Sequence, residues 1–137
     1  FPAYTIEDRD GTQFYGFPAT NGTIKIGRHQ GGQPITSPTE RVPFGEVSTD
    51  VDEVNQMTDM FLSGVGSIAH GESCTYDMSP DGDFIVDQAP RFENITVVSG
   101  LSGHGFKFAS VLGEILAQEA AGIDVPFDLA PFRLKRF

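Results

Sequence analysis

The sequence predicts an α+β fold, with an antiparallel meander first and a long helix near the end. Two observations carry this. Short aromatic and β-branched runs are separated by the hairpin dipeptides Asp10-Gly11 and Asn21-Gly22. Val111, Leu112, Ile115 and Leu116 then recur at helical spacing ahead of Gly122, which can end a helix.

The elements follow in order. Ala3 to Glu7 is a short strand; Gln13 to Pro18 and Thr23 to His29 are the next two. Gln30 to Pro43 is rich in Gly, Pro, Ser and Thr and reads as a loop. Ser48, Thr49 and Asp50 can cap a helix starting near Val51, with Val54, Met57, Met60 and Phe61 as its apolar stripe and Gly64 and Gly66 as its stop. Ser67 to Asp77, Phe84 to Asp87 and Asn94 to Val98 read as further strands, the first of them joining the meander. The last helix spans about Gly105 to Ala121, and the Pro-interrupted tail Ile123 to Phe137 packs in extended form.

Composition narrows the function. At 137 residues and 39% apolar, the chain can bury a core, so disorder is not expected. Nine basic against nineteen acidic residues give a net charge of -10, which argues against nucleic acid and against anionic membrane surfaces. Cys74 is the single cysteine, so no internal disulfide forms. The first ten residues do not read as a signal peptide, and no apolar run reaches the roughly 18 residues of a membrane span. The expectation is a cytoplasmic protein.

Most single features have a plain reading. The turn through Gly100, Gly103 and Gly105 sits between a strand and a helix, where free N–H groups can face an anion. Its glycines run in reverse of the dinucleotide fingerprint, so taken alone it is a tight turn. Asp77 to Asp83 imitates a calcium loop, but Pro80 stiffens it and Gln88 stands where a bidentate Glu belongs. His29, His70 and His104 lack metal-site spacing, and no metal is expected. On these readings Lys25 is a solvated strand lysine and Cys74 a small buried hydrophobe.

Longer runs add more. Ser102-Gly103-His104-Gly105-Phe106-Lys107-Phe108-Ala109-Ser110 resembles the C-terminal signature of the monomeric sarcosine oxidase family, a branch of the D-amino-acid-oxidase-like flavoproteins. Cys74-Thr75-Tyr76-Asp77-Met78-Ser79-Pro80-Asp81 resembles the same family's Cys-x-Tyr-x-x-(Ser/Thr)-Pro-Asp motif, and the separation of Cys74 from Lys107 fits. Tyr15-Gly16-Phe17-Pro18 and Lys25-Ile26-Gly27-Arg28-His29 resemble two further stretches. The likeness covers essentially the whole chain and is weakest from Asp50 to His70. The strand, G-x-G-x-x-G and helix with which family members begin do not precede Phe1.

The resemblance implies a C-terminal part of an FAD-dependent amine oxidase that oxidises N-methyl amino acids with oxygen. It implies that residues 1–93 belong to the substrate domain, mainly antiparallel sheet. Residues 94–137 supply the last strand, helix and tail of the FAD-binding domain. By matching position, Cys74 bonds the flavin and Lys107 pairs with the substrate carboxylate. Lys25 stands near the flavin for oxygen activation. Tyr15 and His29 line the substrate pocket, while Gly103, His104, Gly105, Phe106, Lys107 and Tyr76 contact the cofactor. A lysine in a first helical turn opposes the macrodipole, and a bound carboxylate would offset that cost. Without the preceding portion of the family's fold, the chain alone is expected to be inactive and Cys74 an unmodified thiol. The rival readings are a non-catalytic binding domain and a different FAD-dependent amino acid oxidase. Cys74 and Tyr76 argue against relatives that hold flavin without a cysteine bond.

Overall fold

Strand pairing begins at once. In the computed structural model, which describes residues 2–137, β1 (Tyr4–Glu7), β2 (Gln13–Thr20) and β3 (Thr23–His29) form an antiparallel sheet in that order. Asn21 and Gly22 both take positive φ, 53° and 78°, which matches the right-handed strand twist at a two-residue hairpin. Pro18 cannot donate to a ladder, and the β2–β3 register shifts between Phe17 and Thr20.

Period-two alternation divides this sheet. Phe14, Gly16, Ile26 and Arg28 pair across β2 and β3 on one face; Gln13, Tyr15, Phe17, Lys25, Gly27 and His29 pair on the other. Helix α1 (Ser48–Phe61) contributes Met57 to a core with Phe14 and Leu62, against which Tyr4, Ile6, Ile24, Ile26 and Val65 pack. The helix starts earlier than expected. Ser48, Thr49 and Asp50 lie inside it, and Val47 caps it without a side-chain bond. The expected apolar stripe is also narrower. Met60 and Phe61 are exposed, because a three-stranded sheet covers only a strip of the helix surface.

Ser67 to Asp77 is not a strand. No backbone ladder pairs it with any described residue, and most of it is exposed. Ile68, Cys74 and Tyr76 share one parity, but His70 and Glu72 stand between them, so the run has no continuous apolar face to bury. An extended segment without a partner strand remains coil.

Tyr76–Phe137 forms a second compact unit; the first ends at Thr75. Here β4 (Ile85–Gln88) and β5 (Thr96–Ser99) make an antiparallel pair. Phe84, Val86, Ile115 and Leu129 are its buried core, packed by Val98, Leu101, Val111, Leu112, Val125 and Phe132. Helix α2 spans Ala109–Ala120 and begins later than expected. A 3-10 turn, Phe106–Phe108, precedes it, because the Ala109 N–H bonds three residues back to the Phe106 carbonyl. The tail is not simply extended either, since Ala130–Phe132 and Leu134–Arg136 are 3-10 turns. Arg133 ties it down by donating to Glu119 Oε1 (2.6 Å) and to the Val86 carbonyl (3.1 Å). Among the described residues no helix is long and apolar enough to cross a membrane.

Met57 is 2% exposed and centres the first unit's core. Met57→Ala should lower stability by about 2–5 kcal/mol, from lost burial plus the cavity left behind. Denaturant unfolding of the full chain measures this; a change below roughly 1 kcal/mol would mean α1 does not hold the sheet.

Candidate functional site

Three of the expected site residues share the sheet face opposite α1. Tyr15, Lys25 and His29 lie there because each sits an even number of ladder steps from the others. Gly27 stands opposite Tyr15, and a Cβ there would come within 2.8 Å of the Tyr15 ring. The glycine therefore lets the ring lie across β3. The Lys25 ammonium sits 5.6 Å from the Tyr15 ring centroid and 5.4 Å from that of Phe17. Such ring faces attract a cation without neutralising it. Lys25 is exposed and makes no ion pair among the described residues. His29 ends β3 opposite Gln13 and is half-buried.

Cys74 lies in the coil that follows α1, and its thiol is exposed. The plain reading of a small buried hydrophobe therefore fails. An exposed thiol is open to chemistry that a buried one is not.

In the second unit the structure brings Tyr76, Gly103, His104 and Gly105 together. Gly103 has φ of +77°, and a Cβ on it would fall 2.2 Å from the Tyr76 ring. Glycine is required there twice over, for the backbone angle and for the ring that covers it. Gly105 is buried under Leu101, whose Cβ would lie 2.7 Å from an added methyl. The His104 ring stacks on Phe84 with centroids 4.9 Å apart, and its Nε2 lies 3.1 Å from the Gly82 carbonyl. Phe106 is 95% exposed, and Lys107 is exposed beside it. Lys107 occupies the 3-10 turn ahead of α2, not the first turn of the α-helix itself. Its ammonium rests 5.3 Å from the Phe108 ring centroid and has no carboxylate partner among the described residues.

Sequence reasoning missed what holds this turn. The Asp77 carboxylate accepts from Ser99 Oγ and from the Gly100 N–H, both at 2.7 Å, and its carbonyl accepts from the Ser102 N–H at 2.9 Å. These bonds, the Ser99 hydroxyl's first and the Gly100 amide's second, hold the Asp77 carboxyl below its usual range, so it stays ionised near neutral pH. Ser102, 1% exposed and at φ of 50°, donates to the Gly100 carbonyl and accepts from the Ser79 N–H. The run that imitates a calcium loop is thus a clamp. Its Asp81 carboxylate is engaged by Arg136 and held well below the ordinary carboxylate range. The available signal was weak: only the density of Ser and Asp around the two motifs hinted at mutual bonding.

The first unit presents the exposed Cys74 thiol and the Lys25 ammonium, and the second presents the Lys107 ammonium at the Gly103–Lys107 turn. Among the described residues no group of three or more His, Cys, Asp or Glu side chains could hold a metal ion. Comparison with known proteins bears on these groups. The family model described as FAD dependent oxidoreductase matches residues 1–119. Over all 137 residues the chain is 56% identical to an N-methyl-L-tryptophan oxidase of Salmonella typhimurium. It is 55% identical to those of Citrobacter koseri and Escherichia coli. The chain spans 37% of the length of each of these relatives.

Gly103→Ala tests the turn directly. The methyl cannot enter without moving the Tyr76 ring, so tyrosine fluorescence and amide exchange of residues 100–108 should both change while α1 remains folded. Unchanged exchange across that turn would mean Tyr76 does not hold it.

Proposed function

The chain belongs to the FAD-dependent oxidoreductase family, and from that premise we propose that it forms part of a larger FAD-dependent oxidase. The proposed reaction is oxidative demethylation of N-methyl-L-tryptophan or a related secondary amino acid, with oxygen as acceptor. With one water consumed in hydrolysing the oxidised N-methyl group, the products are the amino acid, formaldehyde and hydrogen peroxide. What carries the reading is identity of 55–56% along the entire chain to relatives of that name, a span that includes every motif residue singled out above.

The residues take named roles on this reading. FAD, when bound, supplies the acceptor for two electrons and a hydrogen and passes them to oxygen. Cys74 anchors it through sulfur; the exposed thiol supports this. Gly103, His104, Gly105, Phe106 and Tyr76 form the backing for the cofactor, a reading supported by the exposed Phe106 ring beside the turn. Lys107 holds the substrate carboxylate, fixing the amine end toward the reacting centre. Lys25 supplies a fixed positive charge where oxygen becomes an anion. Tyr15 and His29 border the substrate, on the same sheet face as Lys25.

We assign residues 1–93 to the substrate side of the enzyme and 94–137 to the flavin side. The antiparallel meander supports the first assignment and the strand–turn–helix from β5 to α2 the second, although β4 pairs with β5 in one compact unit. A cytoplasmic location is the companion proposal, supported by a composition with a single cysteine and so without a disulfide framework.

The test uses the full-length protein. With N-methyl-L-tryptophan it should bleach the flavin absorbance and release peroxide. Lys107→Met should then weaken a carboxylate inhibitor far more than its neutral amide. A charge-assisted pair in a desolvated pocket contributes roughly 1.5–3 kcal/mol, so the expected loss is about tenfold to more than a hundredfold. Equal weakening of acid and amide would remove Lys107 from the substrate.

A further inference from the structure

The tail returns to the turn described above. Arg136 donates from Nε to Asp81 Oδ2 at 2.7 Å and from Nη2 to Asp81 Oδ1 at 3.0 Å, and Nη2 also reaches the Asp83 carbonyl at 3.0 Å. One guanidinium therefore closes the Ser79–Asp83 turn with three bonds, and its side chain is only 14% exposed. Planar fork geometry makes this fit available to arginine and not to lysine. Inside the turn, Asp81 Oδ1 also accepts from Ser79 Oγ (3.2 Å) and from the Asp83 N–H (3.1 Å). The Gly82 N–H bonds back to the Ser79 carbonyl at 3.3 Å.

The closed turn presents the Gly82 carbonyl to His104 Nε2 at 3.1 Å, while Phe84 stacks on the imidazole at 29°. A carbonyl oxygen can only accept. In the neutral ring the proton must then sit on Nε2, leaving Nδ1 as a lone-pair acceptor. Thus a residue 32 positions beyond His104 restrains the turn that fixes its ring.

We infer that Arg136 is a positioning residue: by closing the Ser79–Asp83 turn it sets the Gly82 carbonyl that holds His104 in its Nε2–H tautomer. The inference rests on the reading of Gly103–Lys107 as the cofactor and substrate turn only for its effect on turnover. The tautomer is independent of that reading.

The experiment uses full-length protein labelled with 15N-histidine. Long-range proton–nitrogen spectra report each ring's tautomer, and His104 is identified by the signal lost in His104→Gln. Wild type should show the Nε2–H pattern. Arg136→Met should mix the two tautomers and raise KM for N-methyl-L-tryptophan about tenfold, since small misplacements near a reacting centre have effects of that order or larger. Asp81→Asn, which breaks the pair from its other end, should reproduce that spectrum. Lys135→Met, an exposed neighbour, should match wild type. An unaltered Nε2–H pattern in either Arg136→Met or Asp81→Asn overturns the inference, as does an equal change in Lys135→Met. Wild-type protein that binds no flavin but shows the expected tautomers would sink the functional reading and leave the role of Arg136 standing.

Discussion

The Asp77 carboxylate joins two stretches of chain that are 22 and 23 residues apart in sequence, accepting from the Ser99 hydroxyl and the Gly100 amide. Everything the second unit presents at the Gly103–Lys107 turn depends on that joint. Gly100 and Ser102 take positive φ, and such angles persist only where surrounding bonds hold them. The buried Ser102 hydroxyl then satisfies both the Gly100 carbonyl and the Ser79 amide. With the turn so fixed, the Tyr76 ring can cover Gly103, and α2 departs in a set direction through its 3-10 lead.

Arg28, Arg133 and Arg136 pair with Glu53, Glu119 and Asp81, and Arg133 also reaches Asp87. These guanidinium groups hold structure, as their fork geometry suits them to do. Lys25 and Lys107 make no such pair and rest near aromatic rings instead. Lys135, Arg9, Arg41 and Arg91 also make no ion pair among the described residues, so it is the neighbouring rings that set Lys25 and Lys107 apart. They are the groups the proposed chemistry needs, one for a substrate carboxylate and one for reduced oxygen.

Much of this was legible in the residues. The meander was, because Asn21-Gly22 prescribes a hairpin and alternation sets the faces, so Tyr15, Lys25 and His29 fall together without any knowledge of contacts. The α2 stripe was legible in the spacing of Val111, Leu112 and Ile115. Strand Ser67 to Asp77 misled, because extended propensity does not reveal whether a ladder partner exists. The start of α2 misled by several residues, since sequence does not distinguish a 3-10 first turn from an α one. The clamp was invisible for a different reason. Asp77, Ser99 and Arg136 meet only through tertiary structure, and their residue types alone read as ordinary surface polarity. Resemblance to a flavoprotein family supplied the roles proposed for Cys74 and Lys107, which no periodicity carried.

Cys74 is proposed as the covalent anchor of the flavin in an amine oxidase. Mass spectrometry of acid-precipitated full-length protein tests it most directly. Yellow colour is expected to stay with the pellet, and the peptide spanning Cys74 to carry one flavin mass, lost in Cys74→Ser because a hydroxyl is far less nucleophilic than a thiolate. Flavin released wholly into the acid supernatant, or found on any other residue, would contradict it.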